Sequence, residues 1–84
     1  MVAGKRYYAD RELVERIARR IKELRKEHGH SQEYLIEKLH ISINSYESGT
    51  KTPTLMSILK ICKFYNITLG EFFIPVNYPT YDGK

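Results

Sequence analysis

Apolar side chains return every three or four positions from Leu13 to Phe73, and no segment alternates with period two, so the pattern predicts helices and no strand. Leu13, Ile17, Ile21 and Leu24 form one stripe of a first helix that begins after Asp10, a good N-cap, and stops at Gly29, where a left-handed residue fits. Ser31 caps a second helix running to Leu39, with Leu35 and Leu39 on one side and Glu33 near the positive end of its dipole. A short third helix is predicted over 41–48, ended by Gly49. Pro53 and Thr54 open a fourth, whose buried face is expected to hold Leu55, Ile58, Leu59, Cys62 and Tyr65, with Asn66 as the stop. Thr68-Leu-Gly-Glu71 matches a capping box, Ile67 can staple onto Phe72, and a brief fifth helix over 69–73 follows. Residues 74–84 hold two prolines and a glycine and are expected to be extended or loose.

These elements predict an all-α, compact five-helix domain over 10–73, preceded by an N-terminal arm (1–9) and followed by a C-terminal tail (74–84). Eighty-four residues leave room for one core. The single cysteine, Cys62, cannot form an internal disulfide, which suits a reducing cytosol. The apolar runs are too short to span a membrane, and Met-Val-Ala-Gly-Lys-Arg is followed by no apolar core of a secretory signal.

The net charge of +4 permits a nucleic-acid partner without requiring one. The excess is uneven: nine lysines and arginines face five acids in residues 1–30, and five face five in 31–84. Arg16, Arg19, Arg20, Lys22 and Lys26, with Glu15, Glu23 and Glu27, are assigned to the outer face of the first helix. That run reads equally well as a solvated surface or as a phosphate-facing one.

The stretch 31–53 carries most of the functional meaning. Two short helices sit close together and a polar, glycine-bearing turn follows, an arrangement that can project the second helix into a DNA groove. Ile-Lys-Glu-Leu-Arg-Lys-Glu-His-Gly (21–29), Ser-Gln-Glu-x-Leu (31–35), Tyr-Glu-Ser-Gly (46–49), Pro-Thr-Leu (53–55), Leu-Lys-Ile-Cys-Lys (59–63) and Ile-Thr-Leu-Gly-Glu-Phe-Phe (67–73) together resemble the Xre/Cro family of helix-turn-helix DNA-binding domains. The resemblance covers residues 13–73 and implies a phage-repressor-like fold whose third helix reads the major groove. Typical members have about one more helical turn between the Ser-Gln-Glu start and the Glu-x-Gly end. Two alignments follow. In one, His40-Ile41-Ser42 is the turn and the recognition helix is cut to 43–48. In the preferred one, the turn shrinks, and Leu39, Ile43 and Tyr46 share a buried face. Ile36 stands where the family has a small residue, which implies a wider helix crossing.

Chemistry and resemblance together nominate a DNA-contacting set. Gln32, at the start of the second helix, suits a phosphate. Ser42, Asn44, Ser45 and Ser48 are the short polar residues of the recognition segment, and Asn44 has the amide that reads adenine bidentately. No arginine lies in 41–48, which argues against strong guanine reading. His40 is placed either near a base or phosphate or in a turn without direct role. Thr50, Lys51 and Thr52 form a flexible cationic loop suited to backbone phosphate. Lys60 and Lys63 read as solubility charges, and Glu47 resembles the family's structural acid.

No metal or cofactor is expected: His28, His30 and Cys62 match no zinc spacing. The chain lacks a Gly-x-Ser-x-Gly elbow, a phosphate-cradling glycine loop and a His-Glu-x-x-His motif, so it is not expected to be an enzyme. Tyr7, Tyr8, Tyr78 and Tyr81, with Phe72, Phe73, Ile74 and Val76, suggest either a homodimer contact or a tail folded on its own domain. The sequence thus predicts a cytoplasmic, nucleoid-associated regulator from a bacterium or phage, dimeric on double-stranded DNA. The alternative is a protein-interaction module, antitoxin-like or a repressor partner, that kept the fold without specific DNA reading.

Overall fold

The computed structural model describes residues 10–81, and the predicted N-terminal arm, with Tyr7 and Tyr8, lies outside them. Five helices follow in order: α1 (Arg11–Glu27), α2 (Gln32–Leu39), α3 (Ile43–Ser48), α4 (Leu55–Tyr65) and α5 (Leu69–Phe73). The described residues contain no strand. The fold is all-α, as the periodicity requires.

The caps stand where the sequence puts them. Asp10, Ser31, Thr54 and Thr68 each accept a backbone N–H from the first turn of the helix they precede. Each such bond stabilises its helix by about 1 kcal/mol. Thr68 and Glu71 complete the capping box, with Thr68 N–H donating to Glu71 Oε1 at 2.8 Å and Glu71 N–H to Thr68 Oγ1 at 2.9 Å. Gly29 is left-handed as predicted, with φ of 70°.

The core gathers Ile17, Ile21 and Leu24 of α1, Leu35 of α2, Ile43 and Tyr46 of α3, Ile58, Ile61, Cys62 and Tyr65 of α4, and Phe72 of α5. Two expected faces are rotated. On α1 the buried stripe takes in Val14 and Ala18, while Leu13 is only half-buried. The cause is α3, which packs against α1 and brings Ser48 and Gly49 to a cleft lined by Ala18. On α4 Ile61 is fully buried, whereas Leu55 is 54% exposed and Leu59 half-buried. Positions 58, 61, 62 and 65 make the continuous helical stripe, and Leu55, the first residue of the helix, lies before it.

The C-terminal segment, described as far as residue 81, is not loose there but folds on its own domain, one of the two readings offered for its aromatic and apolar residues. Val76 is buried, Arg16 Nη1 donates to the carbonyls of Val76 (2.9 Å) and Asn77 (3.2 Å), and the Tyr78 hydroxyl donates to Asp10 Oδ2 at 2.8 Å. Arg20 donates to the carbonyls of Phe72 (2.7 Å) and Glu71 (3.0 Å) at the end of α5. Arg16 and Arg20 therefore belong neither to a solvated face nor to a phosphate-facing one: Arg20 satisfies carbonyls that the end of α5 leaves without helical partners, and Arg16 holds two carbonyls of the segment beyond it. Phe72 and Val76 are taken up by the chain's own core, while Ile74 and Tyr81 stay exposed.

Candidate nucleic-acid interface

The structure combines the two alignments of the turn. The recognition helix α3 is the six-residue Ile43–Ser48, so His40, Ile41 and Ser42 are the turn and the preferred longer helix is corrected. The expected burial nevertheless stands, with Ile43 and Tyr46 in the core. The reason is local. His40 closes α2 in the left-handed region with φ of 57°, and the chain needs two further residues to reverse. Ser42 occupies the N-cap position of α3 but makes no side-chain cap bond.

Four anchors fix the orientation of this short helix. Ile43 and Tyr46 plug the core. The Tyr46 hydroxyl donates to Ser57 Oγ at 3.2 Å, tying α3 to the first turn of α4. Arg11 Nη1 donates to the Gly49 carbonyl at 3.2 Å. Glu47 is gripped by Arg25 of α1, with Nε on Oε2 at 2.7 Å and Nη2 on Oε1 at 2.9 Å. Burial pushes the Glu47 carboxyl up, but hydrogen bonds from Arg25 and Gln32 and the charges of Arg25 and Lys22 outweigh it and hold it below the usual carboxylate range. The hydrogen bond from Arg25 to Glu47 raises the guanidinium in turn, against desolvation.

Opposite these anchors stand the nominated residues. Asn44 is exposed and its side chain forms no hydrogen bond among the described residues, Ser48 is exposed on the same side one turn later, and Ser45 is half-buried. The C-terminal segment packs on α1 at Asp10 and Arg16. Thr50, Lys51 and Thr52 are exposed beyond Gly49, and Lys51 has no ion pair among the described residues. The loop is not flexible in the sense expected. The Ser45 carbonyl accepts from Thr50 N–H (3.1 Å), Lys51 N–H (3.2 Å) and Ser48 Oγ (3.1 Å), and Ser48 Oγ lies 2.9 Å from Thr50 Oγ1. This folds the loop onto the end of α3. Gln32 points its amide to Glu47 Oε1 at 2.9 Å, so its side chain braces α3 from the start of α2. His40 and Ser42 sit at the opposite end of α3 from Lys51.

Sequence reasoning passed over Arg25, although it directly follows the buried Leu24 at the edge of the α1 stripe. It also missed that Arg19 and Lys22 line a cleft with Ser48 and Gly49, which puts two cations beside the end of the recognition helix. Lys60 is more than a solubility charge, since its ammonium donates to the Leu39 carbonyl at 3.1 Å and closes the end of α2. Cys62 is buried and uncharged, its thiol pushed up by burial against a smaller opposing effect of Arg20. No described helix is long and apolar enough to cross a membrane.

Two short helices, α2 and α3, packed together across the three-residue turn His40-Ile41-Ser42, form a helix-turn-helix unit. Residues 21–72 match the model of a family described as helix-turn-helix, and the chain belongs to this Xre/Cro-like family of non-enzymatic DNA-binding regulators. It is also similar to the uncharacterized HTH-type transcriptional regulator YgzD of Bacillus subtilis (strain 168), with 35% identity over 57 residues, covering 64% of this chain and 86% of that protein. No solved structure matches the chain.

Proposed function

We propose that the chain is a sequence-specific transcription regulator that reads the major groove of duplex DNA with α3, two copies sharing a pseudo-palindromic site in the cytoplasm at the nucleoid. The observation that carries this reading is the exposed Asn44 on a helix whose other face is locked by Ile43, Tyr46 and Glu47. Pre-organised in this way, an asparagine amide can pair with adenine without first ordering its own support. Ser42, Ser45, Ser48 and His40 flank it. Lys51, Thr50, Thr52 and the start of α2 at Gln32 supply backbone phosphate contacts. The similarity to a protein named as a transcriptional regulator supports the same reading.

The test is selection of binding sites from a random duplex library with the intact chain at low salt. A recovered consensus with two related half-sites is the expected outcome. With few base-reading side chains, affinity is largely electrostatic and falls steeply as salt rises. The six-residue length of α3 and its lack of arginine favour a second reading, a protein-interaction module without specific DNA reading. No enrichment in the selection would refute the first reading and support the second.

A further inference from the structure

The C-terminal halves of α2 and α4 flank a shallow, open groove of about 420 Å³ lined by Lys38, Leu39, His40, Lys60, Lys63 and Phe64. Three lysines and a histidine rim it, and no carboxylate lines it. None of the three lysines forms an ion pair among the described residues. The floor is apolar: Leu39 packs against the core, and Phe64 is 37% exposed with its ring edge-on to Tyr65 at 5.2 Å. Lys38 lies over the Tyr34 ring at 5.5 Å, extending the cationic and aromatic surface along α2.

We propose that this groove docks an acidic segment of a partner protein, one apolar side chain seated between Leu39 and Phe64 and its carboxylates on Lys38, Lys60 and Lys63. Charge complementarity selects this occupant. Cations without a carboxylate partner, Lys60 resting on the Leu39 carbonyl, around an apolar floor match a chain that alternates acids with a hydrophobic anchor. A nucleic-acid strand matches less well. Lys38 lies over the Tyr34 ring and Phe64 is only partly exposed among His30, Tyr34 and Tyr65, so the groove offers no row of rings on which successive bases could stack, and phosphates have no use for an apolar floor. The groove also lies at the far end of α2 from Gln32, roughly 12 Å along an eight-residue helix. It shares only His40 with the residues assigned to DNA.

The test uses the full chain, isotope-labelled for NMR, and a synthetic acetylated peptide, Asp-Glu-Leu-Asp-Phe-Glu-Asp. A second peptide replaces its leucine and phenylalanine by serine, and a short duplex of scrambled sequence forms a third arm. The first peptide is expected to shift the amide signals of residues 38–40 and 60–64. Lys38→Glu combined with Lys63→Glu should weaken it about tenfold or more, because both attractions become repulsions. Both lysines are exposed, and retained far-UV circular dichroism establishes that the variant folds. Asn44→Ala, which tests DNA reading, should leave peptide binding unchanged, so the two assignments fail separately. The proposal is overturned if the first peptide shifts none of these signals, if the serine peptide shifts them equally, or if the duplex displaces the peptide from them.

Discussion

Arg25 and Glu47 form a two-pronged ion pair across the α1–α3 contact, with side-chain exposures of only 11% and 3%. Arg25 Nη1 also donates to the His30 carbonyl at 2.9 Å, and Gln32 donates to the same carboxylate, so the pair joins the end of α1, the start of α2 and α3. Removing one partner leaves a buried charge uncompensated. Glu47→Ala or Arg25→Met should therefore cost roughly 3–5 kcal/mol, whereas Arg25→Met with Glu47→Leu should cost much less than the sum. A double-mutant cycle by urea denaturation measures both the losses and their coupling.

The same pair sets an acid limit on stability. The Glu47 carboxyl is lowered in the folded chain from an ordinary value of 4.5, so folding favours its charged form. Its contribution is complete above that ordinary value. As pH falls below it the unfolded chain takes up the proton first, and the contribution is lost progressively until the folded carboxyl is protonated too. The stability gap between the native chain and Glu47→Gln should be constant near neutral pH and narrow as pH falls below 4.5. Urea titrations at a series of acid pH values check this, and a gap that widens on acidification would contradict it.

The packed C-terminal segment predicts a further dependence. Val76 is 3% exposed, and the Arg16 bonds to its carbonyl and to that of Asn77 hold it in place. Val76→Ala should destabilise the whole domain by about 1–3 kcal/mol through lost burial and a residual cavity. A loose tail would give no effect. The midpoint of chemical denaturation distinguishes the two.

The left-handed residues predict opposite signs. His40 ends α2 at φ of 57°, a conformation glycine adopts without strain. Relief of that strain exceeds the added freedom of the unfolded chain, so His40→Gly should stabilise by about 0.5–1 kcal/mol. Gly49 has φ of 80°, and a Cβ there would meet Arg11 Nη2 at 3.2 Å. That contact is the end of a flexible side chain, so backbone strain dominates, and Gly49→Ala should destabilise by about 1–2 kcal/mol. Thermal melts of the two variants at one pH give both signs.

The helices were legible because several signals coincide at each end. Asp10, Ser31, Thr54 and Thr68 are caps, and each is followed by apolar side chains at helical spacing. The start of α3 was less legible: Ile41 looks like a helical core residue until the left-handed turn at His40, which a histidine does not advertise, sets the helix back to Ile43. Val76 was legible only as one of two readings, a dimer contact or a tail folded on its own domain, because one apolar residue between prolines has no period to choose between them. Arg16 and Arg20 were unreadable for another reason. Their acceptors are backbone carbonyls 60 and 52 residues further along, and no side chain there announces them. The exposure of Asn44 was readable, because Ile43 and Tyr46 three residues apart already commit the other face of α3 to the core.

That exposure leads to the most discriminating pair of variants. Asn44 projects from a helix held rigid by Glu47 and Tyr46, and Lys51 from a loop folded on the Ser45 carbonyl. A base-reading amide distinguishes one sequence from another, whereas an ammonium on a phosphate attracts every duplex alike. Asn44→Ala should lose about 1–3 kcal/mol of discrimination at an adenine position and leave non-specific affinity nearly intact. Lys51→Ala should weaken cognate and scrambled duplexes by the same factor and lower the salt dependence by about one ion. Both side chains are exposed and neither has a partner among the described residues, so neither change should disturb folding. Titrations of both variants on cognate and scrambled duplexes at several salt concentrations decide the matter: unchanged sequence preference in Asn44→Ala would remove α3 from the reading of bases.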